Sequence, residues 1–222
     1  MRPIEVRFLG KDMPYAATQE AQKRAADAVR SGELCDQLWV LQHEAVITVP
    51  RKEKAWANLL VTPERAAELG VAVETTTRGG NITYHGPGQV VLYPIVHLQT
   101  GERDVRKFVC NLEEAMMDVS RAYGLKPGRS EGGTGTWIGD EKIGAIGVRF
   151  SRWVSSHGIA YNGRTKLSDF DLIVPCGLVD KGVCSLDGLG VETSDAELEE
   201  RLARAVAERL RRAYKSAPSR LP

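Results

Sequence analysis

The sequence carries almost no excess of charge: 30 Lys and Arg stand against 29 Asp and Glu, a net charge of +1 over 222 residues. Nucleic-acid binders and membrane-surface proteins usually present a broad basic field, so neither is expected, and small molecules or protein domains are the expected ligands. Long hydrophobic runs are missing too. No apolar stretch approaches the roughly 18 residues of a membrane span, and the opening MRPIEVRFLGKDMPY has no apolar signal-peptide core. The four cysteines, Cys35, Cys110, Cys176 and Cys184, form no CxxC pair, and a chain long enough to bury a core needs no disulfide framework. Free thiols in the cytoplasm are the expectation. The four histidines, His43, His85, His97 and His157, lack the close spacing to one another or to a cysteine that metal ligands show, so no metal site is expected.

What is present reads as one α+β domain. Hydrophobic residues make up 42% and charged residues 27%, the balance of a globular chain with a real core. A helix is predicted from Thr18 to Gly32, with Ala21, Ala25, Ala28 and Val29 at helical spacing. Short β-type runs at 38–40 and 46–49 precede a Thr62-Pro63 helix start and a further strand at 71–77. After a strand at 90–96, Asp104 caps a long helix with Val105, Phe108, Leu112, Met116, Val119 and Tyr123 on one face, stopped by Gly124. Segments 135–139 and 142–150 read as a hairpin, followed by a strand over 157–162. Ser194 and Glu197 pair as a capping box for a last helix, predicted to end before Pro218. Strict strand–helix alternation is absent, so a mixed β-sheet flanked by helices is expected over 1–222, with the motif-bearing core at 78–186.

Three stretches could do chemistry. RGGNITYHGPGQ, 78–89, sets glycines among polar side chains between two strands, which lets the backbone approach a ligand. No Gly-Lys-Ser/Thr follows and no helix opens after it, so it is neither a phosphate-binding P-loop nor a dinucleotide fingerprint. Cys176, flanked by Pro175 and Gly177, sits on a loop that can present a thiol. Cys35 and Cys110 read as small core residues and Cys184 as a weaker rival. Lys142 stands at the entrance of KIGAIGV, where glycines at 144 and 147 leave room for close approach; on local sequence alone it reads more readily as a solvated hairpin lysine.

RGGNITYHGPGQ, KIGAIGVRFSRWVSSHGIAYN and IVPCGLVDKGVCSL, in this order and spacing, resemble the lipoyl(octanoyl) transferases. The resemblance implies the fold of the lipoate and biotin protein ligase catalytic domains. It implies Cys176 as the acyl-thioester nucleophile and Lys142 as its activating residue. Arg78, Gly79, Gly80, Asn81, Ile82, Thr83, Tyr84 and His85, with Ala145, Ile146, Gly147, Gly158, Ile159 and Ala160, would form the substrate pocket. By the same resemblance a monomer without cofactor would take octanoyl, or lipoyl, from octanoyl acyl carrier protein. The acceptor would be a lysine on lipoyl domains of 2-oxoacid dehydrogenase E2 subunits and on the glycine cleavage H protein. One stretch departs: HisGluAlaVal at 43–46 and ProArgLys at 50–52 stand where family members often carry HisProProVal and Gly-Arg.

The chemistry suits the residue types. Exchanging one thioester for another is nearly isoenergetic, so a cysteine can accept the acyl group without ATP. An ammonium beside the thiol favours the nucleophilic thiolate, and the lysine, once it has given up its own proton, can take one from the attacking amine. The alternative is an ATP-dependent lipoate- or biotin-type ligase on the same fold, which has no use for Cys176. A non-catalytic acyl-binding protein would retain ligand without turnover. Arg149, Arg152, Arg164 and Lys166, close in sequence to the pocket strands, are the candidates for steering an acidic carrier protein.

Overall fold

The computed structural model describes residues 1–130, 133–174 and 181–222. In chain order its elements are β1 (Arg2–Met13), α1 (Tyr15–Ser31), β2 (Asp36–His43), β3 (Val46–Pro50), α2 (Glu53–Trp56), α3 (Pro63–Glu68), β4 (Ala72–Thr76), β5 (Thr83–His85), β6 (Gln89–Ile95), α4 (Val105–Ala122), β7 (Pro127–Ser130), β8 (Gly133–Ile138), β9 (Glu141–Ser151), β10 (Val154–Asn162), β11 (Gly182–Val183), α5 (Asp195–Arg209) and β12 (Arg212–Ser216). The large sheet runs β12-β1-β2-β6-β10-β9-β8-β7, with β11 also paired to β9. It is mixed, because β12, β1 and β2 pair in parallel, as do β9 and β11, while the other pairs are antiparallel. A small second sheet has the order β4-β3-β5.

Three cores follow from this layering. On one face of the large sheet, Ile4, Leu38, Leu92, Ile143 and Ile159 pack against Leu112 and Met116 of α4 and Leu202 and Val206 of α5. On the other face α1 covers Trp39, Leu41, Val91 and Tyr93 with Ala21, Ala25 and Val29. The small sheet closes its own core of Ile47, Val49, Ile82, Tyr84, Phe170 and Ile173. The helix starts carry side-chain caps: Thr62, Asp104 and Ser194 accept the backbone N–H of Arg65, Lys107 and Glu197, while the Glu197 carboxylate accepts from Arg201 rather than completing the expected capping box. Several elements differ from expectation: β1, α2, β7 and β11 have no counterpart in the sequence reading. The last helix ends at Arg209, and the chain then turns into β12, which pairs with β1. Strand β5 also emerges inside the glycine-rich stretch, paired with β3.

Candidate active site

The position of Lys142 depends on an irregularity in β9. Thr136 of β8 pairs with Gly144 but Trp137 pairs with Lys142, so Ile143 is an extra residue, a β-bulge. Side chains alternate across a regular strand. Unbroken alternation would put Lys142 on the face of Gly144 and Ile146, toward α4. The bulge lets Ile143 and Gly144 both face α4, where Ile143 is fully buried and Gly144 lies against Met116. Lys142 turns to the opposite face, and with Ala145 and Gly147 it lines a cavity between the two sheets. It is 8% exposed there. Its Nζ donates to the Thr134 carbonyl at 3.3 Å and lies 4.7 Å from the centre of the Trp137 ring.

The cavity measures about 400 Å³, within the range of small-molecule sites. Its floor is made of small residues on adjacent strands: Ala145 is in register with Ala160, Gly147 with Gly158, and Ala160 with Val91. The 79–83 loop, His85 and Tyr15 close it from the other side. Gly79 and Gly147 allow that closure. The Gly79 N–H donates to the Val148 carbonyl at 3.1 Å, and a Cβ on Gly147 would stand 3.0 Å from both Arg78 Cδ and the Gly79 oxygen. Arg78 ties the loop to β3 by donating to the Thr48 carbonyl and hydroxyl, each at 2.9 Å, and to the Gly79 carbonyl at 3.0 Å.

Arg78, Gly79, Gly80, Asn81, Ile82, Thr83 and His85 all line this cavity, as do Ala145, Ile146, Gly147, Gly158, Ile159, Ala160 and Lys142. Tyr84 does not. Thr83 and His85 face the cavity, so alternation along β5 turns Tyr84 into the small sheet's core. There its hydroxyl donates to Asp169 at 2.9 Å and its ring meets Phe170 edge-on.

The structure adds Tyr15, Val91, Tyr93, Val109, Gly133, Thr134, Val148 and His157 to the lining. Aromatic and imidazole rings form one wall: Tyr15 stacks on His85, and Tyr93 meets His157 edge-on. Burial keeps these histidines neutral. His43, behind the wall, is held down to about 4. Its Nδ1 donates to the Met13 carbonyl and its Nε2 accepts from Tyr93, both at 2.7 Å, which only the neutral ring can do. His157 is held down to about 3 by burial first and then by Arg78 and Arg149. It adopts φ +56°, and its buried Nδ1 finds no hydrogen-bond partner among the described residues, a locally strained position. Burial, then the neighbouring His43 and Arg78, also lower His85 well below its ordinary value. Its Nδ1 donates to Gln89, whose amide donates to Asn162, whose amide in turn donates to the Cys184 carbonyl. An apolar chain entering the cavity therefore meets small aliphatic residues and uncharged rings.

Cys176, the candidate nucleophile, lies outside the described residues. The chain on either side of it is fastened to the cavity wall. The Val174 N–H donates to the Asn58 carbonyl at 2.8 Å, and the Asn58 amide donates to Asn81 at 3.2 Å. Farther on, Val183 is in register with Lys142, and the Cys184 N–H donates to the Lys142 carbonyl at 3.1 Å. Cys184 itself is 4% exposed, and burial pushes its thiol up to about 12, which leaves it protonated near neutral pH. Cys35 and Cys110, expected in core positions, are only half-buried. Among the described residues no group of three or more His, Cys, Asp or Glu could hold a metal ion, and no helix is long and apolar enough to cross a membrane.

Comparison with known proteins assigns this arrangement to a family. Residues 14–207 match the lipoyl protein ligase A/B catalytic domain. An octanoyltransferase of Solibacter usitatus is 45% identical over 207 residues, covering 93% of this chain and 93% of that protein. Among solved structures, lipoate-protein ligase A bound with ATP superposes with a TM-score of 0.78 at 16% identity, covering 98% of this chain and 89% of that one. A bipartite lipoate protein ligase from Thermoplasma acidophilum, studied with its E2 lipoyl domain, gives 0.78 at 17% identity, covering 98% and 87%. The fold is thus that of the lipoate ligases, while the sequence sides with the transferases: the chain belongs to the octanoyltransferases of the lipoyl protein ligase A/B catalytic-domain family.

Proposed function

We propose that this protein is an acyltransferase that moves an octanoyl group from acyl carrier protein to the lysine of a lipoyl domain, through a thioester on Cys176. In the first half-reaction the Cys176 thiolate attacks the donor's thioester carbonyl, the carbonyl–sulfur bond to the donor breaks, and the departing thiolate takes its proton from the Lys142 ammonium, which leaves the lysine neutral. In the second the acceptor lysine amine attacks the acyl-enzyme, an amide bond forms, Cys176 leaves as thiolate, and Lys142 takes the proton that the amine loses. Proton transfer by a positioned group of this kind contributes typically 10²–10⁴-fold to rate. The apolar cavity with its uncharged wall suits the octanoyl chain.

The observation that carries this reading is the bulge at Ile143, which brings a buried lysine onto the face of a cavity floored with alanine and glycine. The similarity to octanoyltransferases over most of the chain supports the same reading. Intact mass spectrometry tests it. Incubation with octanoyl acyl carrier protein is expected to give one hydroxylamine-sensitive octanoyl adduct that is absent in Cys176→Ala. An ATP-dependent ligase would instead consume ATP with free octanoate and show no adduct, and that result would overturn the proposal.

A further inference from the structure

The sequence offers Arg149, Arg152, Arg164 and Lys166 as a basic patch, and the structure splits that set. Arg164 is paired with Asp195 and Lys166 with Asp169, both at 2.7 Å. Neither charge stands uncompensated. Arg149 and Arg152 are exposed, and among the described residues neither is in an ion pair with a carboxylate.

Two further arginines join them from another element. Just before α4, Arg103 stacks over the ring of Trp153, 5.3 Å from its centre, beside Arg152 at the β9–β10 turn. Phe108 of α4 meets Phe150 of β9 edge-on at 5.1 Å, which fixes the first turns of α4 alongside the end of β9. Arg106 stands three residues before Val109, so the two share a helix face, and Val109 lines the cavity. Arg149 lies two residues beyond Gly147, on the cavity face of β9, and its charge is felt by His157 in the cavity wall. Arg103 and Arg106 are likewise exposed and in no ion pair among the described residues. Trp153 and Val105 are the exposed apolar residues of this surface, at 38% and 40% exposure.

We infer that Arg103, Arg106, Arg149 and Arg152, around Trp153 and Val105, form the docking platform for an acidic protein domain that delivers the acyl chain as a thioester. The inference rests on the proposed transferase function and names the surface its donor uses. Charge complementarity decides the occupant: four exposed arginines on one surface, in no ion pair among the described residues, on a chain whose net charge is only +1, favour a carboxylate-bearing partner there. Exposed rim charges act mainly on the rate of encounter and are screened beyond about 10 Å at 0.1 M salt.

The test compares two donors with the full-length protein: octanoyl acyl carrier protein and the small neutral thioester octanoyl-N-acetylcysteamine. Cysteine acylation is followed by intact mass. The double variant Arg106→Glu/Arg152→Glu is expected to slow acylation from the carrier protein at least about tenfold at low salt and to leave the small thioester unchanged. Added salt is expected to slow the wild-type protein with the carrier protein only. An equal effect on both donors, or none on either, overturns the platform. So does a loss confined to transfer from preacylated enzyme to the lipoyl domain, which would make the acceptor the occupant. If wild-type protein is acylated by neither donor, it is the transferase reading that fails.

Discussion

The two faces of β9 and β10 are built from alternate residues of the same two strands to opposite ends. Toward α4 the strands present Ile143, Ile146, Val148 and Ile159, packed with Leu112 and Met116 into the main core. Toward the cavity they present Ala145, Gly147, Gly158 and Ala160, with Ile146, Val148 and Ile159 also reaching its lining. One face is filled by its own side chains, and the other leaves space for something else. A core at native packing density has no room for a ligand, so the truncated face is what makes the cavity. The bulge then moves Lys142 from the filled face to the open one.

The largest expected effect breaks this comparison at Lys142. Lys142→Arg keeps a positive charge on the open face but cannot release a proton near neutral pH. Transfer from acyl-enzyme to amine is expected to fall by a factor on the order of 10² or more, the scale of general acid–base catalysis, while cysteine acylation falls less. Single-turnover measurement of the two half-reactions checks this. Equal losses, with the fold intact by circular dichroism, would mean that the lysine's shape matters rather than its proton transfer.

A smaller effect concerns the neutral wall. Burial holds His43 at about 4 in the folded protein, against about 6.5 when unfolded. Below pH 6.5 the unfolded chain therefore binds the extra proton first. The stability contribution is fully present above that pH and is lost as pH falls toward 4. At pH 5 the loss from His43 is on the order of 2 kcal/mol. Denaturant titrations at pH 7 and pH 5 are expected to show it, and His43→Gln to reduce the pH dependence. A pH dependence unchanged by that substitution would remove the buried neutral imidazole from the account.

Much of this was legible in the sequence because it was local. Helix caps at Thr62, Asp104 and Ser194 are short-range hydrogen bonds that a few neighbouring residues specify. The glycine-rich 78–89 stretch and KIGAIGV announced the cavity through the side chains they lack. Tyr84 reads as a pocket residue with its neighbours because the segment carries no sign of β5, and alternation appears only once a strand is recognised. Strand β12 was hidden for another reason. Its residues RAYKS form a partly exposed edge without periodicity, and their partner lies in β1 at the other end of the chain. The bulge at Ile143 is a matter of register between β8 and β9, which no composition reveals. Tyr93 carries no signal in the sequence because β6 is buried along its whole length, so no polar contrast separates its cavity-facing residues.

The central claim is that the acyl chain lies on the small-residue face of β9 and β10, and chain-length dependence tests it most directly. In Ala160→Leu, three added carbons enter the cavity floor, and Met116→Ala on the filled face serves as the control. One methylene in an apolar pocket is worth about 10- to 200-fold. Acylation of Ala160→Leu by an octanoyl thioester should therefore drop at least about tenfold, while a butyryl thioester reacts as with wild type. Met116→Ala should lose about 2–5 kcal/mol of stability without changing the octanoyl-to-butyryl ratio. If Ala160→Leu slows both chain lengths equally, or leaves both unchanged, the acyl chain does not lie on that face.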